Sequence, residues 1–557
     1  PGEAVDGVPI GARLEPEPEA DPRDELMRLS EATLAEAPAL PAIEYARGDL
    51  RPGIVHLGLG AFFRAHGLVY THRALSHAPA DEAAKWGVVG VSMRSATMAE
   101  MIGPQDGLYT VHERATGADP VVVLVGCLLR CVVHARAPSA VLDLLASADV
   151  RIVSLTVTEK GYCYDPASRA LDLANVDVIH DLDPANARAP RSAVGLLVLA
   201  LRARRAAGVP PFTCLSCDNL PHNGRTLRGL CVAFARALEP ASDLARWIGE
   251  LVPFPCTMVD CIVPAVQPAD VDAAAAPDGP LRGVRDEAMV MCEPFRQWAV
   301  EDAFGPLGRP PWELAGAQLV ADVAQHEALK LRVLNACHST LAYVGTLCGF
   351  ETIAHAMREP ALAKLVAALV ELDVLPALEP PAGVDVHEYA RSTFSRFRNE
   401  LLGHRTEQIA MDGSQKLPQR LLATARARLA RADAEPCTAS AEPALRVLPL
   451  AVGAWMAHST RLDADGQHVP VRDPLASKFA AIATASTREP RTIAARMLAL
   501  REVFGDDALA ADDTRFARPV AQQLAALMEA RTPERVLAHV RAFADALPDA
   551  TLLAPGA

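Results

Sequence analysis

The sequence predicts a doubly wound α/β domain followed by a mostly α-helical domain. In the first part, short β-branched runs such as "GIVHLGLG", "WGVVGVSM" and "RIVSLTVTE" alternate with helical patterns, as in a parallel sheet covered by helices. After about residue 316, long Ala/Leu/Arg segments are separated by Pro or Gly, which is typical of helices. Single cores stop growing at roughly 250 to 300 residues. A chain of 557 residues therefore predicts two domains, at residues 46–315 and 316–557.

Residues 1–45 precede this pattern and are rich in Pro, Glu and Ala. Because such a composition buries little apolar surface, we predict a loosely ordered N-terminal extension. Its last part, "RDELMRLSEATLAEA" at residues 23–37, has helical spacing and predicts one short helix.

The composition limits which binding partners and which cellular location can be expected for this protein. The 54 Lys and Arg residues against 68 Asp and Glu residues leave a formal charge of -14, with no long basic run that would bind a phosphate backbone. The longest apolar stretches are far shorter than the roughly 20 residues that span a bilayer, and the acidic start lacks the features of a signal peptide. We therefore expect a cytoplasmic protein with no nucleic-acid and no membrane partner.

The twelve cysteines are scattered along the chain. The one C-x-x-C pair, Cys214 and Cys217, has no second pair of ligands to complete a zinc site. We interpret these cysteines as buried thiols and expect no metal site.

The first strand-to-helix turn, "IVHLGLGAFFRAH", suits a dinucleotide. Gly58 and Gly60 follow the strand and let the backbone approach a pyrophosphate at the N-terminus of the next helix. Phe63 stands where the usual third glycine would be, so the match to G-x-G-x-x-G is partial. A simple strand-to-helix turn is the alternative reading of these residues.

The end of the second strand bears on the choice between NAD(H) and NADP(H). An acidic residue there would bond the adenosine ribose, but "WGVVGVSMRSATM" has Met93, Arg94 and Ser95 at this place. Arg94 could bind the 2'-phosphate of NADP(H), stack on the adenine ring, or simply be solvated at the end of the strand. The residues leave both cofactors open.

Four polar residues lie in the otherwise apolar segment "HEALKLRVLNACHSTLAYVG". On a regular α-helix, Glu327, Lys330, Asn335 and His338 fall within one arc of about 140°. Leucines surround that arc, which indicates a buried helix. An alternative without function pairs Lys330 with Glu327 and leaves His338 as a core histidine.

Burial would make these polar residues suitable for catalysis. Desolvation lowers the pKa of a lysine toward the range in which Lys330 can take a proton from an alcohol. Amide donors such as Asn335 stabilise the alkoxide that forms when the alcohol loses a hydride. Asn219, in "SCDNLPHNG", follows a strand at the carboxyl edge of the sheet, where ligands bind in this architecture, and is a second candidate donor.

The motifs in this order resemble those of the polyol-specific long-chain dehydrogenases. The resemblance rests on "GIVHLGLGAFFRAH", "QDGLYT", "SLTVTEKGY", "SCDNLPHNG", "EPFRQW", "KLRVLNACHS" and "DGSQKLPQR". It implies an α/β Rossmann-type N-terminal domain, a mostly α-helical C-terminal domain, a metal-free site between them and a monomer or weak homodimer. It also implies NAD(H) as the most favoured cofactor, without excluding NADP(H).

The resemblance assigns roles to individual residues. Lys330 becomes the general acid/base, Asn219 and Asn335 polarise the carbonyl, His338 binds substrate, and Glu327 assists proton movement to solvent. The family's turn reads G-x-G-x-F-x-R-A-H, so its cofactor contacts fall on the residues that match it and on the end of the second strand: Gly58, Gly60, Phe62, Arg64 and Arg94.

Two departures from the mannitol-type pattern favour a sugar acid. Mannitol dehydrogenases have motifs similar to T-E-G-G-Y and R-I-A-x-D-G-S-Q-K. This chain has Lys160 in the first motif and Gln408 in place of the arginine of the second. Both differences resemble fructuronate reductase. A carboxylate needs a cationic partner when it is buried, and Arg405 and Lys416 are the first choices, with ordinary surface charge as the alternative.

The resemblance therefore predicts reduction of D-fructuronate to D-mannonate. Alternatives are a mannitol 2-dehydrogenase or arabinitol dehydrogenase acting on neutral polyols, and a nucleotide-binding protein without catalysis. Three residues depart from the family pattern. Cys261 stands where an arginine is usual, and Ala336 and Cys337 stand where Gly-Ser is usual. Because that arginine lies near the domain junction, its loss can alter how the two domains dock.

Overall fold

A five-stranded parallel sheet organises the N-terminal domain. The computed structural model describes residues 26–37, 40–165, 170–434, 443–485, 489–505, 509 and 513–553. The strands are β1 (Ile54–Leu57), β2 (Val88–Ser92), β3 (Leu128–Val133), β4 (Ile152–Leu155) and β5 (Thr213–Ser216), in the order β3-β2-β1-β4-β5. The strand order reverses at β1 and β4, which opens a crevice at their carboxyl ends. The predicted doubly wound domain is confirmed.

Helices cover both faces of this sheet, and the strands are buried because they carry Val, Ile and Leu on both sides. The α-helices of this domain are Ala61–Ala65, Gly67–His77, Ala80–Ala83, Thr97–Ile102, Pro138–Ala146, Thr158–Gly161, Val176–Leu182, Ala193–Ala206, Asn223–Leu238, Leu244–Leu251 and Pro268–Ala275.

Smaller sheets extend the domain toward the helical half. One contains Tyr109–Glu113, Val121–Val125 and Val290–Cys292, and the other contains Thr257–Asp260, Gln297–Glu301 and Gln318–Val320. The last of these strands lies just beyond the predicted boundary at residues 315 and 316. The end of Thr257–Asp260 contacts the helical domain, where Val259 bonds Lys330 and Asp260 bonds Arg396.

The N-terminal extension differs from the prediction where it is described. Residues 1–25, 38 and 39 lie outside the described residues. The helix predicted at residues 23–37 is wrong for the described part: Met27–Arg28 is a short strand that pairs with Val284–Arg285, and Leu34–Glu36 is a 3-10 turn. Pairing with this edge buries Leu29 completely, which a surface helix would not do.

The C-terminal domain is mostly helical, as predicted. Its centre is formed by Ala336–Leu347 and Leu448–Ser459, and every residue of the second helix is buried. The other α-helices are Ala324–Leu329, Ile353–Arg358, Pro360–Ala368, Val386–Phe397, Thr406–Ala410, Gly413–Leu417, Ala423–Ala434, Ala476–Ala483, Pro490–Leu498, Arg501–Phe504, Arg518–Ala530 and Pro533–Asp545. Among the described residues, no helix combines the length and apolar content that a membrane crossing requires.

Wider π-helical turns interrupt several of these helices. They are Lys330–Asn335, Leu369–Val374, Pro418–Leu422 and Asp513–Ala517. The regular helix expected around Lys330 is therefore wrong in its middle, and an arc calculated at α-helical spacing does not describe it. Such turns are rare in proteins, and those that occur are often found at functional sites.

Gly58 is the backbone position on which the β1 turn depends. Its φ is +91°, and a Cβ there would lie 2.2 Å from the carbonyl oxygen of Thr156. Gly60, two residues later, has φ -96° and begins the helix Ala61–Ala65, and a Cβ there would meet only the Gly58 oxygen, at 3.8 Å.

We predict that Gly58→Ala lowers the free energy of unfolding by about 2 kcal/mol or more, because strained backbone and a backbone clash add together. Gly60→Ala is the matched control and should change it by less than about 1 kcal/mol. Urea unfolding of both variants measures this difference. Equal stability of the two variants would contradict the assigned geometry.

Candidate active site

Lys330 lies at the junction of the two domains. It begins the π-helical turn Lys330–Asn335, and only 6% of its surface is exposed. Its Nζ donates to Asn219 Oδ1 at 2.6 Å and to the carbonyl oxygen of Val259 at 2.5 Å. An ammonium group has three donors, so one direction is left for a substrate oxygen. The sequence-predicted pair Lys330 and Asn219 is thus brought together.

Burial lowers the pKa of Lys330 to about 8. The Asp260 carboxylate raises it, the Arg420 and Arg396 guanidinium groups lower it, and Glu327 raises it slightly. Near this value the lysine exchanges its proton readily at moderate pH.

The segment after β5 holds Asn219 in place through its neighbour Asp218. Asp218 accepts hydrogen bonds from the backbone of Val157 and Thr158, both at 3.0 Å, and from the Tyr162 hydroxyl at 2.8 Å. This contact joins the "VTEKGY" loop after β4 to the "SCDN" motif. The exposed Asn219 side chain thereby faces the crevice.

Asn223 was not singled out from the sequence, yet it aligns the two strands that hold Lys330. Its Nδ2 donates to the carbonyl oxygens of Ser216, Asp218 and Thr257, and its Oδ1 accepts from the Thr257 backbone at 2.9 Å. An asparagine just past a strand was the available signal. Its partners, which lie on two strands, are visible only in three dimensions.

Asn335 and His338 are buried beyond Lys330 along the same helix. The Asn335 side chain makes no hydrogen bond with any residue that the structure describes. His338 lies between Phe397 and His404, with ring centroids 4.9 and 5.3 Å away, and its Nε2 is buried with no partner among the described residues. Burial lowers the pKa of His338 well below its usual range, so the ring is neutral at pH 7.

Glu327 turns away from Lys330 toward the other domain. Both of its carboxylate oxygens accept from the His222 backbone N–H, at 3.2 and 3.3 Å. Burial raises the pKa of Glu327. Glu327 and Lys330 also line an open pocket that includes Asn219 and Gln419. The simple pairing of Glu327 with Lys330 is therefore not what the structure contains.

A buried ion cluster ties the domains together beside Lys330. Arg396, on the helix Val386–Phe397, donates to both Asp260 oxygens at 2.8 and 3.0 Å and to both Glu293 oxygens at 2.7 and 2.9 Å. It also stacks on Phe295 at 4.0 Å. Burial alone would raise the pKa of Asp260, but Arg396 outweighs it and the pKa falls. Since Asp260 follows Val259 directly, this cluster fixes the strand end that holds the lysine.

The crevice at β1 and β4 has the form that a dinucleotide needs. Gly58 and Gly60 leave the backbone bare at the start of a helix, which fits a pyrophosphate. Phe63, in place of a third glycine, stacks on the buried His56 with centroids 3.3 Å apart, so a side chain there fills the domain core. Phe62 stacks on His66 at 5.1 Å.

The two predicted cationic cofactor residues differ in their surroundings. Arg64 is 5% exposed, lies over the Tyr109 ring and donates to the carbonyl oxygen of Ala288. Arg94 is exposed and pairs with Asp177 at 2.9 Å. Arg64 thus braces the turn from inside, and Arg94 lies at the open end of the crevice.

The candidate carboxylate partners are also separated by the structure. Lys416 is half-buried, and its Nζ donates to the backbone oxygens of Ile409 and Met411 at 3.2 and 2.5 Å. Arg405 is exposed at the start of the helix Thr406–Ala410. Arg420, four residues after Lys416, donates to Ser339 Oγ at 3.1 Å.

The departures from the family pattern leave the catalytic candidates in place. Cys261 lies next to Asp260, and burial raises its pKa. Cys337 is buried in the helical core. Cys214 and Cys217 are buried thiols, and no group of three or more potential metal ligands occurs among the described residues.

Comparison with known families identifies the protein's relatives. The mannitol dehydrogenase Rossmann domain model matches residues 52–314, and the mannitol dehydrogenase C-terminal domain model matches residues 322–551. The chain belongs to the mannitol dehydrogenase family. The resemblance seen in the motifs and the Rossmann-type fold are both confirmed.

Individual relatives cover most of the chain. The D-mannonate oxidoreductase of Escherichia coli (strain K12) is 42% identical over 474 residues, 84% of this chain and 92% of the relative. The mannitol 2-dehydrogenase of Aspergillus terreus is 35% identical over 505 residues, 90% of this chain and 95% of the relative. The protein is therefore an oxidoreductase of this family, whose members differ in their named substrates.

A solved structure agrees over nearly the whole length. The Pseudomonas fluorescens mannitol 2-dehydrogenase, in a ternary complex with NAD and D-mannitol, matches with a TM-score of 0.80 and 31% identity. The match covers 94% of this chain and 100% of that chain. The arrangement of the two domains is thus shared with a dehydrogenase.

Asp260 and Glu293 offer a matched pair of variants for pH dependence. Both bond Arg396, but only Asp260 acts directly on Lys330. With Lys330 as the general acid that the motif resemblance predicts, the wild-type rate of ketone reduction should fall as pH rises through about 8. We predict that Asp260→Asn moves this fall to lower pH, because the anion that raises the lysine pKa is gone.

Glu293→Gln should leave the fall near its wild-type position, although it weakens the same cluster. The pH profile of kcat/KM for NADH-dependent reduction measures both variants. The role of Asp260 is wrong if the two profiles move together.

Proposed function

We propose that the protein is an NAD(H)-dependent oxidoreductase that reduces D-fructuronate to D-mannonate without a metal. The observation that carries the chemistry is the buried Lys330, whose Nζ contacts Asn219 and whose pKa is about 8. NADH, when bound in the β1 crevice, supplies a hydride to the carbonyl carbon. Lys330 supplies the proton to the carbonyl oxygen, which balances the reaction and gives the alcohol.

The amides stabilise the charge that develops on that oxygen. Asn219 Oδ1 is bound to Lys330, which leaves its Nδ2 as a donor, and the Asn335 amide has no bond to a described residue. Two neutral donors stabilise an alkoxide without competing for its proton. His338, neutral and beside this group, is proposed to bind substrate.

Glu327 is proposed to return protons from solvent to Lys330. Its carboxylate lies 15% exposed at the mouth of the pocket that it shares with Lys330. Its raised pKa makes it a better proton carrier near neutral pH than an ordinary glutamate.

The cofactor assignment rests on the crevice and on the relatives. Gly58, Gly60, Phe62, Arg64 and Arg94 are proposed to form the turn, its support and the ribose end of this site. NAD is the cofactor in the mannitol 2-dehydrogenase complex that matches this chain. Because no acidic residue directly follows β2, NADP(H) is the alternative cofactor. Activity with NADPH should therefore be compared with activity with NADH.

The sugar acid is the proposed substrate because of relatives and charge. The 42% identical D-mannonate oxidoreductase supports a sugar acid. Lys416 supports it as well, because its positive charge is near enough to lower the pKa of His338. Arg405 was the other expected partner, and its exposure makes it the weaker candidate. Relatives named mannitol 2-dehydrogenase support a neutral polyol as the second candidate. We also propose a cytoplasmic location, and family likeness supports a monomer or weak homodimer.

We predict that Lys330→Ala lowers kcat by about 10² to 10⁴, because general acid/base catalysis contributes that much. NADH binding should stay nearly unchanged, because the lysine lies outside the β1 turn. Stopped-flow turnover and NADH fluorescence titration measure the two quantities. Near-native turnover would remove Lys330 from the mechanism.

The substrate is tested by NADH consumption with D-fructuronate and D-fructose in parallel. These compounds differ only at the end of the chain, carboxylate against hydroxymethyl. We predict a kcat/KM at least about 100-fold higher for D-fructuronate, as expected for one well-paired buried carboxylate. A preference for D-fructose would assign the protein to neutral polyols.

A further inference from the structure

We propose that Arg420 binds the substrate carboxylate and sets the preference for a sugar acid over a neutral polyol. This inference rests on the proposed function, since it names the group that recognises the far end of the proposed substrate. The sequence analysis placed this role on Arg405 and Lys416.

The position of Arg420 is set by two facing π-helical turns. Arg420 belongs to Pro418–Leu422, which packs against Lys330–Asn335. Its guanidinium donates to Ser339 Oγ at 3.1 Å, and Ser339 adjoins His338. The wider turn thus carries a cation to the wall formed by Lys330, Asn335 and His338.

Electrostatics agrees with this placement. Burial is the largest cause that lowers the pKa of Lys330 and of His338, and Arg420 is among the charges that lower both. Of the basic side chains that lower the pKa of His338, Arg420, Lys416 and Arg396 are positively charged at pH 7, whereas burial lowers the pKa of His404 to about 4 and leaves its ring neutral. The wall near His338 therefore favours an anion.

The nearby acids are engaged elsewhere. Asp260 and Glu293 both bond Arg396, and Glu327 accepts from the His222 backbone. Asp412 and Asp473 act on Tyr343 together with Arg420, and Asp473 accepts hydrogen bonds from the backbone and the hydroxyl of Ser414. An incoming carboxylate would meet the positive side of the site.

Geometry favours Arg420 over the other cations. The charge of Arg396 is already offset by two carboxylates, and Arg405 is exposed. A guanidinium also binds a carboxylate through two parallel hydrogen bonds, which an ammonium cannot do.

His338 offers a second donor to the same group. Its Nε2 is buried with no partner among the described residues, and a neutral imidazole protonated at Nε2 donates there. His338 follows Asn335 by one helical turn, so a ligand whose carbonyl lies at Asn335 extends past His338 toward Arg420.

The test compares D-fructuronate and D-fructose in Arg420→Gln, Arg420→Lys and wild type, with NADH. For Arg420→Gln we expect kcat/KM on D-fructuronate to fall by about 100-fold or more, the effect of removing one partner of a buried charge pair. The value on D-fructose should change by less than about fivefold, since no charge is lost from that complex. Arg420→Lys should keep part of the preference, because it keeps the charge and loses the fork.

Two further variants sharpen the comparison. Arg535→Gln removes an exposed arginine from the helix Pro533–Asp545 and should leave both values unchanged. Arg405→Gln tests the rival residue, and a loss specific to D-fructuronate in that variant, with none in Arg420→Gln, would overturn the proposal.

The outcomes separate the two proposals. If the wild type does not prefer D-fructuronate, the proposed substrate fails and the role of Arg420 fails with it. If the wild type prefers it and Arg420→Gln keeps that preference, only the role of Arg420 fails. Equal losses on both substrates would also overturn it and make Arg420 a positioning residue. If Arg420→Gln does not fold, Arg420→Lys decides, because an unchanged substrate ratio in that variant contradicts the role of the fork.

Discussion

The site depends on one contact between domains, the hydrogen bonds from Lys330 to Asn219 and Val259. The lysine belongs to the helical domain, and both acceptors belong to the Rossmann-type domain. Neither domain by itself contains both Lys330 and the acceptors that it bonds. Docking of the domains creates both the desolvation that lowers the lysine pKa and the acceptors that orient its Nζ.

The neighbouring charges limit how far burial can act. A lysine without charged neighbours in the interior would be largely deprotonated at neutral pH, while one facing an unshared carboxylate would stay protonated well above it. Here Asp260 is close enough to act on Lys330 but is shared with Arg396, which in turn is balanced by Glu293. The cluster that holds the domains together is thus also the cluster that adjusts the proton affinity of the lysine.

Much of the fold and part of the site could be predicted from sequence. Alternating strand and helix patterns gave the sheet, and polar residues in an apolar helix marked Lys330, Asn335 and His338. Other features depend on partners distant in sequence. Arg396 is about 100 residues or more from its two carboxylates, and Arg405 and Arg420 look alike until burial separates them. The N-terminal strand was missed because its partner edge, Val284–Arg285, leaves no local signal.

The π-helical turn Lys330–Asn335 has a consequence for how this site can change over evolution. Such a turn holds an additional residue compared with an α-helical turn. Because the wider turn absorbs this extra residue, its loss would close the turn to α-helical width and leave the helix that follows on the same face, while changing which residues of the turn itself face the site. A one-residue deletion or insertion, with no substitution of any polar group, is therefore a short route by which a chain of this architecture could exchange one ligand for another.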